Sequence, residues 1–119
     1  MKTNKIINDR NNIGIYCKIA DTFLSKLCGL MLQKEISPNA GLILSESSES
    51  VINSSIHMLF MRFNIAVIWL NKDKFVVSKK LAKKWRLAYF SDKPACYIVE
   101  THPSQLENFS IGDHISFLE

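Results

Sequence analysis

Glycine and proline are scarce in this 119-residue chain, which holds four of one and three of the other. A collagen-like or linker-rich protein needs far more of both and is excluded. There is no internal repeat and no low-complexity stretch, so solenoid and propeller architectures are excluded too. Long apolar runs are also missing. The longest is 65–70, six residues, against the ~20 that a membrane-spanning helix requires. The opening MKTNKIINDRNN has lysines but no apolar stretch of secretory type. It reads as an N-terminal tail, residues 1–12, of a cytoplasmic protein. Cys17, Cys28 and Cys96 cannot all pair within one chain, and no C-x-x-C occurs. They read as three small buried hydrophobes in a reducing compartment, not as a zinc ribbon or redox pair. G-x-S-x-G, Walker and dinucleotide motifs are absent, which removes the motif-bearing hydrolase and nucleotide classes.

What is present describes one globular domain. Hydrophobic residues make up 47% and charged residues 22%, close to average values, and the length suits a single core. Ile13–Ile19 alternates apolar and polar residues, the period of a half-buried strand. The period changes after it. Asp21 or Thr22 can cap a helix in which Phe23, Leu27, Leu30 and Met31 share a face. Gly41–Ser45 reads as a short strand, Glu46–Ser50 as a loop, and Val51 onward as extended. Ile65–Leu70 reads as a strand buried on both faces, being apolar throughout and rich in branched side chains. Asn71–Lys74 is a turn, and Phe75–Val77 begins the return strand. Cys96–Glu100 and Ile115–Leu118 are further strands, with a helical turn over Pro103–Phe109 between them. Many short strands and about one helix predict a mainly β fold. The expected form is a single antiparallel β-sandwich or jelly-roll-like domain over 13–119, with one or two short helices.

Charge is unevenly placed. The chain carries +4, yet residues 72–93 alone carry +6, from seven lysines, Arg86 and only Asp73 and Asp92. The remainder is mildly acidic. Trp85, Tyr89 and Phe90 interleave with the cations. Cations beside aromatics suit an anionic partner, either an acidic protein surface or a single-stranded nucleic acid. Lysines on an exposed edge strand also discourage edge-to-edge pairing, which explains them structurally.

Five segments carry a family resemblance. Lys26-Leu27-Cys28-Gly29-Leu30-Met31 resembles a basic residue followed by a GLM motif. The stretch from Ser55 to Leu70, with Ile56-His57 and Phe60-Met61-Arg62-Phe63, is similar to the central signature of the DUF192 family. Lys84-Trp85-Arg86 resembles that family's P-W-R segment, Val99-Glu100 its L-E, and Ile111-Gly112-Asp113 its terminal I-x-x-G-D. Order and spacing agree over residues 13–118. The resemblance implies a small β-sandwich of jelly-roll type with no established activity. The chain departs from the pattern at Asn64, Ala66 and Lys84, where the family usually has Pro, Asp and Pro. Thr101-His102-Pro103-Ser104 replaces a glycine-containing stretch.

The candidate chemistry is weighed against plainer packing. His57 and Arg62 could share a pocket, the imidazole as donor or acceptor and the guanidinium as a fork for an anion. The structural alternative is a hydrogen-bonded core histidine, with the arginine paired to an acid such as Glu100. His57, His102 and His114 lack the spacing of a metal motif, so no metal, cofactor or catalytic residue is expected. Phe60, Met61 and Phe63 read as core. The leading expectation is a non-enzymatic binding module. Its segment 79–90, with Lys79, Lys80, Lys83, Lys84 and Arg86, would contact an anionic partner, a protein in preference to a nucleic acid. The alternative is a ligand pocket of Met31, His57, Arg62, Trp85 and Glu100.

Overall fold

The six apolar residues at 65–70 form the strand with neighbours on both sides, and all six are buried. Around it the chain builds β1 (Thr3–Asn8), β2 (Gly14–Ala20), β3 (Ala40–Ser50), β4 (Ile65–Leu70), β5 (Val76–Ala82), β6 (Ala95–Thr101) and β7 (Ile115–Leu118). A 3-10 helix, η1 (Pro103–Asn108), precedes β7. The structure is a computed structural model and describes residues 3–20, 35–58, 61–86 and 88–118. The helix expected after Asp21 lies outside these residues, as do Cys28 and Met31.

The strands make one curled sheet in the order β5-β4-β6-β3-β2-β1-β7. The fold is thus mainly β, as its patterning predicts. Every neighbouring pair is antiparallel except β2 and β3, where Tyr16 to Ala20 run parallel to Ala40 to Leu44. A parallel pair needs a crossover of a dozen or more residues, and the stretch 21–39 supplies that length.

Because the sheet curls, it has an inner and an outer face, and each carries a core. The inner core gathers Ile6, Ile15, Ile43, Ile68, Val99 and Ile115, one from each of six strands. The outer core joins Leu42, Leu44, Val67, Trp69 and Ile98 on the opposite face, covered by Ile56, Met58 and Met61. Trp69 satisfies its indole by donating to the Ser54 carbonyl at 2.7 Å. Burying each such side chain stabilises the fold by roughly 1.5–3 kcal/mol. Gly41 permits close packing where β3 crosses both neighbours: a Cβ there would sit 2.9 Å from the Glu100 carbonyl and 3.0 Å from Cys17 Sγ.

The curl closes where the start of β5 meets the approach to β7. Val76 N–H donates to Asp113 O at 2.8 Å, Gly112 N–H to Val76 O at 2.9 Å, and Ile115 N–H to Lys74 O at 2.9 Å. Gly112 takes φ +94, which suits glycine. The buried Asp113 carboxylate accepts from Asn8 Nδ2, Arg10 Nε and the Ser110 N–H, each at 2.8 Å. Burial pushes this carboxyl up, but those donors outweigh it and hold it below the usual value.

Three expectations are corrected. Residues 3–8 are not a tail: they form β1 between β2 and β7, and Ile6 is only 1% exposed. The adjacent Ile6 and Ile7 give no alternation to read. Glu46–Ser50 is not a loop but the second half of β3, whose side chains at 47–49 are exposed. Polar side chains on a solvated strand look like a loop when pattern is the only guide. Val51–Ser54 is bend and turn, not extended.

Candidate functional site

Four strands bring chain segments to one rim of the sheet. Thr101, at the end of β6, pairs with Gly41 at the start of β3 and with Ala66 near the start of β4. Ile65 in turn pairs with Ala82, the last residue of β5. The segments 35–39, 61–64, 83–86 and 102–103 therefore meet at this rim.

The 83–86 segment is a tight turn. Arg86 N–H donates to Lys83 O at 3.4 Å, and Trp85 has φ +67 at the third position. A positive φ at that position normally selects Gly or Asn. Here it carries tryptophan, 55% exposed. The backbone around it is pinned. Met58 O accepts the Trp85 N–H at 2.8 Å and the Met61 N–H at 3.2 Å, while Met58 N–H donates to Arg86 O at 3.0 Å. Ile56 and Tyr89 exchange both backbone hydrogen bonds. Tyr89 Oη accepts the Lys83 N–H at 2.9 Å, and Asn64 Oδ1 accepts the Lys84 N–H at 2.9 Å. This last bond joins two of the departures noted above. A proline at 84 would have no N–H to give, so Asn64 and Lys84 depend on each other.

The sequence-derived candidates separate into distinct places. Arg62, Lys83, Lys84 and Arg86 are exposed around the turn. Lys79 and Lys80, adjacent on β5, point to opposite faces and are engaged. Lys79 Nζ donates to Leu106 O at 3.0 Å, at the end of η1. Lys80 Nζ donates to Phe90 O at 2.6 Å and lies 3.3 Å from the Asp92 carboxylate. His57 is half-buried, with Nδ1 buried and without a partner among the described residues. Glu100 is buried on the outer face of the sheet, paired with Leu42 and Val67, and burial pushes its carboxyl up to about 7. Arg62 is exposed, so it is not the counter-ion of Glu100. Met31 lies outside the described residues.

Cys17 and Cys96 are buried free thiols, and burial pushes Cys17 up to about 12. Among the described residues no cluster of three or more His, Cys, Asp or Glu side chains could hold a metal, and no helix is long and apolar enough to cross a membrane.

A cleft also opens at the rim. It measures about 280 Å³ and is lined by Glu35, Ile36, Phe63, Asn64, His102 and Pro103. None of these was selected as a site residue from sequence. The signal for His102 was the unusual Thr101–Ser104 stretch, read only as a departure.

Residues 5–117 match the model of the DUF192 family, described as an uncharacterised group of proteins. The chain belongs to the DUF192 family. It is 44% identical over 102 residues to a UPF0127 protein of Thermococcus kodakarensis, a match covering 84% of this chain and 63% of that protein. With a UPF0127 protein of Pyrococcus furiosus the identity is 40% over 107 residues, covering 88% of this chain and 89% of the relative. The chain thus spans under two thirds of the first relative and most of the second. Among solved structures it is similar to a suggested transcription regulator of Sinorhizobium meliloti, with a TM-score of 0.87 and 13% identity, covering 98% of this chain and 94% of that one. It is also similar to a Novosphingobium aromaticivorans protein of unknown function, with a TM-score of 0.83 and 14% identity, covering 96% of this chain and 83% of that one. These likenesses speak to the fold alone. Within this DUF192 chain, the motif segments serve two ends. Ile111-Gly112-Asp113 closes the curl, while Arg62-Phe63 and Lys84-Trp85-Arg86 build the rim.

Proposed function

We propose that the protein is a non-enzymatic binding module whose Lys83–Arg86 turn, with Arg62 beside it, contacts an acidic surface of a partner protein. The observation that carries this reading is Trp85, a large aromatic held exposed at a turn position that costs it backbone strain. Trp and Arg are the side chains that dominate protein interfaces, and surrounding cations steer an acidic partner into contact. Lys79 and Lys80 are occupied within the fold, so the proposed contact is narrower than segment 79–90. One exposed tryptophan among cations suits a protein surface better than a single strand of nucleic acid, which uses successive stacking platforms. A cytoplasmic setting goes with this reading, since buried free thiols suit a reducing compartment.

The two tryptophans make a direct test available, because Trp69 is buried and Trp85 exposed. A glutamate-rich peptide titrated at low salt should shift the fluorescence of Trp85 saturably. Reversing Lys83, Lys84 and Arg86 to Glu should abolish the shift. An unchanged response in that triple variant, or a response to oligothymidylate alone, would sink the proposal.

A further inference from the structure

The rim cleft has a hydrogen-bonding inventory that narrows its ligand. Its walls come from three separate segments: Glu35 and Ile36, Phe63 and Asn64, and His102 and Pro103. Ile36 and Phe63 pack against the outer core, which gives the cleft a firm apolar side.

The polar groups are partly committed. His102 Nδ1 accepts the Ser104 N–H at 3.1 Å and meets Ser104 Oγ at 2.8 Å. A ring nitrogen that accepts a backbone N–H carries no proton, so the neutral imidazole holds its proton on Nε2. The nitrogen left to a ligand is thus a donor. Asn64 Oδ1 is taken by the Lys84 N–H, which fixes the amide's orientation and leaves Nδ2 with its two N–H donors. Glu35 is exposed and adds a carboxylate.

The cleft therefore offers two donor groups, one acceptor of negative charge and an apolar wall. A bare anion would meet the Glu35 carboxylate. A bare cation would meet two donors. A ligand with both poles meets neither difficulty. At about 280 Å³ the cleft lies at the small end of ligand pockets, the size of a metabolite and not of a nucleotide.

We propose that this cleft binds a small zwitterion of the free α-amino acid class. The ligand carboxylate accepts from His102 Nε2–H and Asn64 Nδ2–H. The ammonium group donates to Glu35. The side chain lies on Ile36, Phe63 and Pro103. This site shares the Asn64–Lys84 hydrogen bond with the Trp85 turn, but ligand binding in it does not require the Trp85 contact.

The test is an amide chemical-shift titration of the full chain. L-Phenylalanine is compared with N-acetyl-L-phenylalanine, which lacks the ammonium, and with L-phenylalaninamide, which lacks the carboxylate. The free amino acid should shift the amides of residues 35, 36, 63, 64, 102 and 104 with millimolar affinity, and each blocked form should bind about tenfold more weakly or worse. Glu35→Gln, an exposed substitution that leaves the core intact, should weaken the free amino acid about tenfold and should not weaken the N-acetyl form, whose lone negative charge no longer meets a carboxylate. Absence of shifts at these residues at about 20 mM L-phenylalanine overturns the proposal. So does equal binding of the free and blocked forms. Sensitivity to only one block overturns it as well, because the site then reads a single charge.

Discussion

At the seam that closes the curl, Asp113 is buried and accepts three hydrogen bonds, and the left-handed backbone position beside it is filled by Gly112. At the rim, another left-handed position is filled by Trp85, four cations stand exposed around it, and His57 Nδ1 has no partner among the described residues. Both regions join strand ends, and both fall on family motif segments. Their local chemistry differs. The Asp113 carboxylate is matched to three donors and the left-handed position beside it to a glycine, although Lys74 across the seam also takes a left-handed backbone at φ +67. The rim breaks those local rules while its backbone is firmly pinned. Such departures are not confined to the rim, since Asn4 Oδ1 on β1 is also buried without a partner among the described residues; what distinguishes the rim is an exposed tryptophan with four exposed cations around it.

Titration offers the largest contrast. Asp113 is held low, so its contribution to stability is present above its unfolded pKa near 3.8 and is lost as the pH falls. Glu100, under the rim, is raised from 4.5 to about 7. Its neutral form suits the core, so the stability tied to it is full below pH 4.5 and lost as the pH rises through about 7. That loss is on the order of 3 kcal/mol. Urea midpoints measured against pH should decline over this window in the natural protein and flatten in Glu100→Gln. A flat wild-type profile would mean that Glu100 is as well satisfied as Asp113.

Next in size is Asp113→Ala, which strands the donors of Asn8 and Ser110 and should cost about 2 kcal/mol in urea unfolding. A cost no greater than that of a rim substitution would erase the distinction between the regions. The smallest effect is the sharpest comparison. Gly112→Ala forces a Cβ into a left-handed conformation and should destabilise by about 1 kcal/mol. Trp85→Gly relieves such strain while loosening the unfolded chain, and should leave stability within about 1 kcal/mol of the natural protein. The same Trp85→Gly variant, which lacks the reporter fluorophore, should lose glutamate-peptide binding measured by calorimetry. Strong destabilisation by Trp85→Gly would make Trp85 a structural residue.

Much of the fold is legible without coordinates. β4 reads from its unbroken apolar run and β2 from its alternation. β7 reads from Ile115–Leu118, and η1 from Pro103. β1 and the second half of β3 are not legible, because their side chains carry neither period nor continuous hydrophobicity. The rim was legible in part. Lys84-Trp85-Arg86 and Arg62 stood out as charge and motif. Nothing in the spacing showed that Lys79 and Lys80 would face opposite ways into the fold's own carbonyls, or that Glu35 and His102 would share a cleft.

The sequence by itself determined the β class, the Asn71–Lys74 turn, the buried centre and the concentration of positive charge in one stretch. These are properties of neighbours along the chain, and periodicity reports them directly. Only the tertiary structure decided which cations remain free and which hydrogen-bond donors are spent. It also decided which distant segments meet at the rim. Such outcomes depend on strand register across the curled sheet, where a shift of one residue moves every side chain to the other face.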